Sequence, residues 1–146
     1  MTMLAEHRFT AVRANLTRVI DHVLDREPQV IKARKQSERD VLLIDVDMQK
    51  ELLRSFQFDI ELVQEKDGSF TAGLDALALY VNQPTQEKAI SDLVSEMTAY
   101  AQNFMEQRAL YLSTSNRRHH LGYVMRLLLC HTEEEVRSLL CLHSAN

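Results

Sequence analysis

The chain has no tryptophan, three glycines, two prolines and two cysteines in 146 residues. With so few glycines a glycine-rich loop that cradles phosphate cannot be built in the usual way, and no such fingerprint is present. No serine or cysteine nucleophile signature occurs either. Two cysteines are too few for a disulfide framework. Together with the lack of a signal-peptide pattern, they lead us to expect a reducing, cytoplasmic setting. No apolar run approaches the roughly 20 residues that cross a bilayer, so no membrane partner is expected. Cys130, His131, Cys141 and His143 are zinc-ligand types without the close paired spacing of a finger or knuckle. No metal or cofactor is expected from them, and the two cysteines, set among leucines, read as small hydrophobes. Internal repeats and low-complexity tracts are also absent.

What is present is a 45% hydrophobic chain, long enough to bury a core as one compact domain or two small lobes. Its charge is unevenly spread. Residues 1–39 carry eight Lys or Arg against five Asp or Glu, whereas the whole chain has a net charge of -4. The balance changes sign near residues 55–58, which marks the expected boundary between a first domain, residues 1–56, and a second, residues 57–146.

In the first domain, residues 7–9 read as a short edge strand. Phe9, Val12, Leu16, Val19, Ile20, Val23 and Leu24 then recur at helical spacing, with Thr10 as the expected N-cap and Pro28 as the stop. Residues 29–33 read as a strand, the polar turn Lys35-Gln36-Ser37-Glu38 follows, and residues 41–44 return as its antiparallel partner. Asp45 or Asp47 is placed to cap a helix carrying Met48, Leu52, Leu53 and Phe56. Arg13 and Asn15 are side chains suited to bidentate contacts with guanine and adenine edges, and a basic front with a helix N-terminus suits phosphate.

The second domain opens on residues 58–64, FDIELVQ, which alternate as a half-buried strand. Lys66-Asp67-Gly68 is a hairpin turn, residues 70–74 answer it, and residues 77–81 form a third extended run. Pro84, tolerated in a first turn, precedes a long helix started by Asn82 or Thr85 and carrying Ala89, Ile90, Leu93, Val94, Met97, Tyr100, Ala101 and Phe104. Residues 103–112 continue or follow that helix, residues 113–116 break it, and residues 117–129 resume. Thr132 with Glu135 makes a capping box for a last helix through Val136, Leu139 and Leu140. The apolar excess of YVMRLLLC and SLLCL either completes the core or packs on a second subunit. Arg117, Arg118, His119 and His120 form a basic cluster suited to a nucleic acid or protein partner, and equally to a solvated helix start.

FTAVRANLTRVIDHV followed by PQVIKARKQSERDVLLIDVD resembles the N-terminal domain of Phd/YefM-type antitoxins, through Thr10, Arg13, Asn15 and Leu16, the basic hairpin and the acidic-capped helix. EKDGSFTAGLDALALYVNQPTQEKAISDL is similar to the partial RNase H-like domain of HicB-type antitoxins. The whole chain resembles a Phd-like antitoxin family of RelE/RelB-class toxin–antitoxin systems. The resemblance implies an α+β fold: a Phd/YefM-like β-α-β-β-α unit, then a HicB-like β-β-β-α unit and C-terminal helices. It implies a homodimer that binds operator DNA for autorepression through Arg8, Thr10, Arg13, Asn15, Arg18, Lys32, Arg34 and Lys35. It also implies a tail that neutralises an mRNA-cleaving toxin, RelE-like or HicA-like, by contact and without catalysis. In place of the family's glycine, the hairpin turn here reads KQSE.

Two other readings fit the same residues. RNase H-like nucleases hold two metal ions with clustered carboxylates, and Asp59, Glu61, Asp75 and Glu96 offer such groups. Alternation with Ile60 and Leu62 makes the first two equally the outward face of a half-solvated sheet. The third reading is a DNA-binding regulator without a toxin.

Overall fold

The computed structural model describes residues 3–144. The fold is mixed α and β, with two small sheets and seven α-helices among the described residues. The chain divides into two compact units between Leu52 and Leu53.

The first unit holds a three-stranded sheet in the order β1-β2-β3: β1 (Ala5–His7), β2 (Gln29–Ile31) and β3 (Val41–Leu43). β1 runs parallel to β2, and β3 antiparallel to it. The first strand ends two residues earlier than the sequence indicates, because the pairing of His7 with Ile31 closes the β1 ladder. The chain turns at once into α1 (Phe9–Ala14). Arg8, in extended backbone, takes the N-cap position without a side-chain bond, so the expected Thr10 cap is corrected.

The single helix expected from the apolar stripe is broken. Asn15 leaves helical geometry at φ -129°, ψ 37°, its side-chain amide donates to the Ala11 carbonyl, and α2 (Leu16–Leu24) starts afresh. Asparagine competes in this way for backbone partners, whereas hydrophobic periodicity runs through the break unaltered. α2 ends in a Schellman arrangement, with Glu27 N–H donating to His22 and Arg26 N–H to Val23. Arg26 there adopts φ 65°, a left-handed conformation that favours glycine. The β2–β3 connection has no glycine and is held by carboxylates. Asp40 accepts from the Ala33 N–H at 2.8 Å, and Glu38 from the Arg34 N–H at 3.2 Å. Asp45 caps α3 (Val46–Leu52) by accepting from Met48 N–H at 2.8 Å.

The second unit is built on a four-stranded sheet in the order β6-β5-β4-β7: β4 (Phe58–Gln64), β5 (Phe70–Leu74), β6 (Leu79–Gln83) and β7 (Leu140–Ser144). β4 and β5 form a hairpin whose turn places Gly68 at φ 88°. The third strand starts at Leu79 and not at Leu77. Residues Asp75–Leu77 form a 3-10 turn, and Ala78 reverses the chain at φ 54°. Pro84 lies before the cap of α4 (Gln86–Glu106); Thr85 is the N-cap, accepting from Lys88 N–H.

One face of the sheet, carrying Phe58, Ile60, Leu62, Ala72 and Leu74, packs on the α4 stripe of Ala89, Ile90, Leu93, Val94, Met97, Ala101 and Phe104. Each Val, Leu, Ile, Phe or Met among them contributes about 1.5–3 kcal/mol on burial, which makes this the main store of stability. α5 (Arg108–Ser113) follows, then a 3-10 turn at Arg118–His120, and α6 (Leu121–Leu128) begins four residues later than the sequence indicates. α6 adds Val124 and Leu127 to the core.

α7 (Glu133–Ser138) has the expected Thr132 cap, while Glu135 returns its bond to His131 N–H. The last helix does not extend through Leu139 and Leu140. Leu140–Ser144 is a strand parallel to β4, pairing Phe58 with Leu140 and Ile60 with Leu142. The apolar SLLCL segment thus joins the sheet, because β4 is a core strand whose outer edge needs hydrogen-bond partners.

Candidate functional site

Two surfaces carry the residues singled out above. On the first unit, Arg8, Thr10, Lys32 and Arg34 line one groove of about 610 Å³ with Phe9 and Ala33. Arg13, Asn15 and Arg18 line a second concavity of about 470 Å³ at the break between α1 and α2. Lys35 is exposed in the β2–β3 turn and lines neither.

The cations in these grooves differ in how much charge they offer. Lys32 donates to Asp40 at 2.9 Å. Arg34 binds Glu38 through two nitrogens and lies 5.0 Å over the Phe9 ring. The bond to Asp40 raises the Lys32 ammonium above its ordinary value, and the bond to Glu38 does the same for Arg34. In return Glu38 is lowered by its bond from Arg34, and Asp40 by the Ala33 N–H and then by Lys32. Arg8, Arg13, Arg18 and Lys35 have no acidic partner among the described residues. The exposed, uncompensated charge therefore sits on α1, α2 and the turn tip.

The first unit also leaves much apolar surface in water. Val12, Val19 and Val23 are its buried apolar side chains among the described residues. Leu16, Leu24, Val41, Leu42, Val46 and Leu52 are each more than half exposed. Gln29 is buried between β1 and β2, accepting from His7 and donating to the Glu27 carbonyl.

On the second unit, β4, β5, β6 and β7 present an outward face opposite the core. Asp59, Glu61 and Asp75 meet in one concavity of about 330 Å³, with Gln57, Gly73, Tyr123 and His143. His143 lies 3.1 Å from Asp59, and the Tyr80 hydroxyl donates to Asp75, which raises the phenol above its ordinary value. Gly73 makes room for the Tyr80 ring, which a Cβ there would meet at 2.8 Å. Glu96 lies on α4 and does not line this concavity. Among the described residues no group of three His, Cys, Asp or Glu side chains is placed to hold a metal ion. Cys130 is half-buried beside the core, where a small hydrophobe fits, whereas Cys141 is exposed on β7.

Of the other lining residues, His143 enters the sequence reading only as a zinc-ligand type, and Tyr80 and Tyr123 are not singled out by it. A strand signal for His143 lies in the alternation of Leu140 and Leu142 with Cys141 and His143, a period of two where the expected last helix ends.

The basic cluster before α6 is divided between the interior and the surface. His120 is 5% exposed and its Nδ1 lies 2.5 Å from the Tyr100 hydroxyl, which in turn accepts from Arg117 at 3.1 Å. Arg117 also lies over the rings of Tyr100 and Tyr111. Burial, then the charges of His119 and Arg117, hold His120 below its ordinary value. Arg118 and His119 remain exposed.

A family described as antitoxin of toxin–antitoxin, RelE/RelB, TA system matches residues 3–142. The solved structure of an antitoxin part of a proposed toxin/antitoxin system from Syntrophomonas wolfei subsp. wolfei is similar to the chain at 24% identity. The match covers 97% of this chain and 100% of that one, with a TM-score of 0.82, and at this identity it establishes the fold. No curated protein is significantly similar to the chain.

Proposed function

Because the chain belongs to the Phd-like family of antitoxins of RelE/RelB toxin–antitoxin systems, we propose that its first unit, a Phd/YefM-like module, binds operator DNA. Its second, HicB-like unit would cover an mRNA-cleaving toxin. The observation that carries this reading is the separation of charge. Arg8, Arg13, Arg18 and Lys35 stand exposed and unpaired on one unit. Asp59, Glu61 and Asp75 gather on the sheet face of the other. Unpaired cations bind phosphate by releasing condensed counterions, and an acidic face opposes a basic RNA-cleaving protein.

The exposed apolar side chains of the first unit support a homodimer. A unit whose buried apolar side chains among the described residues are three valines gains little to offset the entropy of ordering some fifty residues, and a second copy covering the rest would supply it. The antitoxin acts by steric occlusion and needs no cofactor. Lys32 and Arg34 contribute less to DNA affinity than Arg13 and Arg18, because Asp40 and Glu38 already compensate them.

The test is a gel shift of the full chain on its own upstream DNA over a salt series, with Arg13→Ala beside it. Co-purification with the product of a neighbouring short basic reading frame tests the toxin. Specific, salt-sensitive binding lost in the variant supports the DNA reading. Absence of any specific shift overturns it.

A further inference from the structure

The four-stranded sheet ends in β7, which pairs only with β4 among the described residues. Its outer edge is open, and Cys141, Leu142 and His143 are exposed. Proteins protect such edges with Lys, Pro or a bulge, since a row of free N–H and C=O groups templates another strand. β7 carries none of these. The β4 register puts Leu140 and Leu142 on the core side and Cys141 and His143 on the outward side. Leu142 is nonetheless 51% exposed, and among the described residues no strand flanks it beyond the edge.

The outward side has one sign of charge. Asp59 is met there by His143 and Asp75 by the Tyr80 hydroxyl, and the outward positions of all four strands hold no Lys or Arg. We propose that the β7 edge accepts an extended segment of the cognate toxin as a fifth strand. Its outward side chains would be Lys or Arg, reaching toward Asp59 and Glu61, and its inward ones apolar, covering Leu142. Backbone bonds to the edge give affinity, and the alternation gives specificity. A second copy of β7 fits less well, because it would extend the acidic face without neutralising it. The proposal rests on the antitoxin reading for the identity of the partner.

The test uses the full chain and a fluorescein-labelled peptide of alternating Lys and Val, with an alternating Glu and Val peptide as control, read by fluorescence anisotropy. Saturable binding of the basic peptide alone is expected. It should weaken about tenfold or more in Asp59→Asn/Glu61→Gln and in Leu142→Lys, and stay unchanged in Glu106→Gln on α4. All these positions are exposed, and circular dichroism checks that each variant folds. No binding, or binding indifferent to both substitutions, overturns the proposal. So does a change of molecular mass of the free chain caused by Leu142→Lys, which would make β7 a self-association edge. Capture of the neighbouring basic protein unaffected by Leu142→Lys would refute the β7 site and leave the antitoxin reading standing. Peptide binding at β7 without capture of any toxin would do the reverse.

Discussion

Replacing Tyr100 by phenylalanine removes one oxygen from the middle of a hydrogen-bonded chain and leaves the ring in place. Arg117 donates to that oxygen, and the hydroxyl donates to Nδ1 of the buried, neutral His120. The substitution strands a buried acceptor and costs Arg117 one bond. A stranded buried group costs about 1–3 kcal/mol, and Arg117, half-buried, recovers part of its loss from water. We therefore expect a loss of about 1–3 kcal/mol near neutral pH.

The pH dependence supplies a second readout. His120 is held below its ordinary value of 6.5, so the unfolded chain takes up its proton before the folded one does. Stability then falls as pH drops below 6.5, by at most about 1.4 kcal/mol per unit, and levels off once the folded imidazole is itself protonated. The Tyr100 hydroxyl favours the neutral imidazole. In Tyr100→Phe the folded value moves up toward the ordinary one, and the slope flattens. The cost of the substitution is thus greatest above about pH 7 and smaller near about pH 5.

Urea denaturation followed by tyrosine fluorescence measures this in the full chain. There is no tryptophan, and Tyr80, Tyr100, Tyr111 and Tyr123 all belong to the second unit, so the signal isolates it. Tyr80→Phe, which removes an exposed hydroxyl bonded to Asp75, is the control and should change stability far less. A cost equal to that of the control, or as large at acid pH as at neutral pH, would refute the reasoning.

In the first unit, Arg13→Ala and Arg18→Ala should each reduce the salt slope of operator binding by about one, while Arg34→Ala changes it less; filter binding across a salt series measures both. Arg26→Gly should stabilise the end of α2 by up to about 1 kcal/mol, because the position is left-handed, and slower amide exchange over the last turn would show it. Gly68→Ala at φ 88° should destabilise the second unit by about 1 kcal/mol although space for the methyl group exists, as a lower urea midpoint would record. Leu93→Ala, at a fully buried position on α4, should cost about 2–5 kcal/mol in the same assay.

Strands β4 and β5 were legible to the residue, because a period of two and a D-G turn leave one arrangement open to a half-buried hairpin. The α4 stripe and the Thr85 and Thr132 caps were equally local. Asn15 was not legible as a break: its side chain chose the Ala11 carbonyl, and no hydrophobic pattern records that choice. Nor was the delay of the third strand to Leu79, since Ala78 takes φ 54° only because the flanking turn and strand require it.

Pattern and local chemistry thus determined most of the helices and strands before Leu139 and the uneven spread of charge, while the motifs carried the resemblance to the antitoxin family. Tertiary structure alone decided the fate of Leu140–Ser144, a short apolar run with no strong intrinsic preference, drawn into the sheet by the open edge of β4. It alone gathered Asp59, Glu61, Asp75 and His143, which come from β4, a turn and a strand over eighty residues away in sequence. It also set which cations are free: Glu38 and Asp40 compensate Arg34 and Lys32 across a turn and leave Arg13 and Arg18 unpaired. Sequence spacing fixes what is adjacent along one element, whereas electrostatic pairing depends on distance in space, and only the packed chain sets that distance.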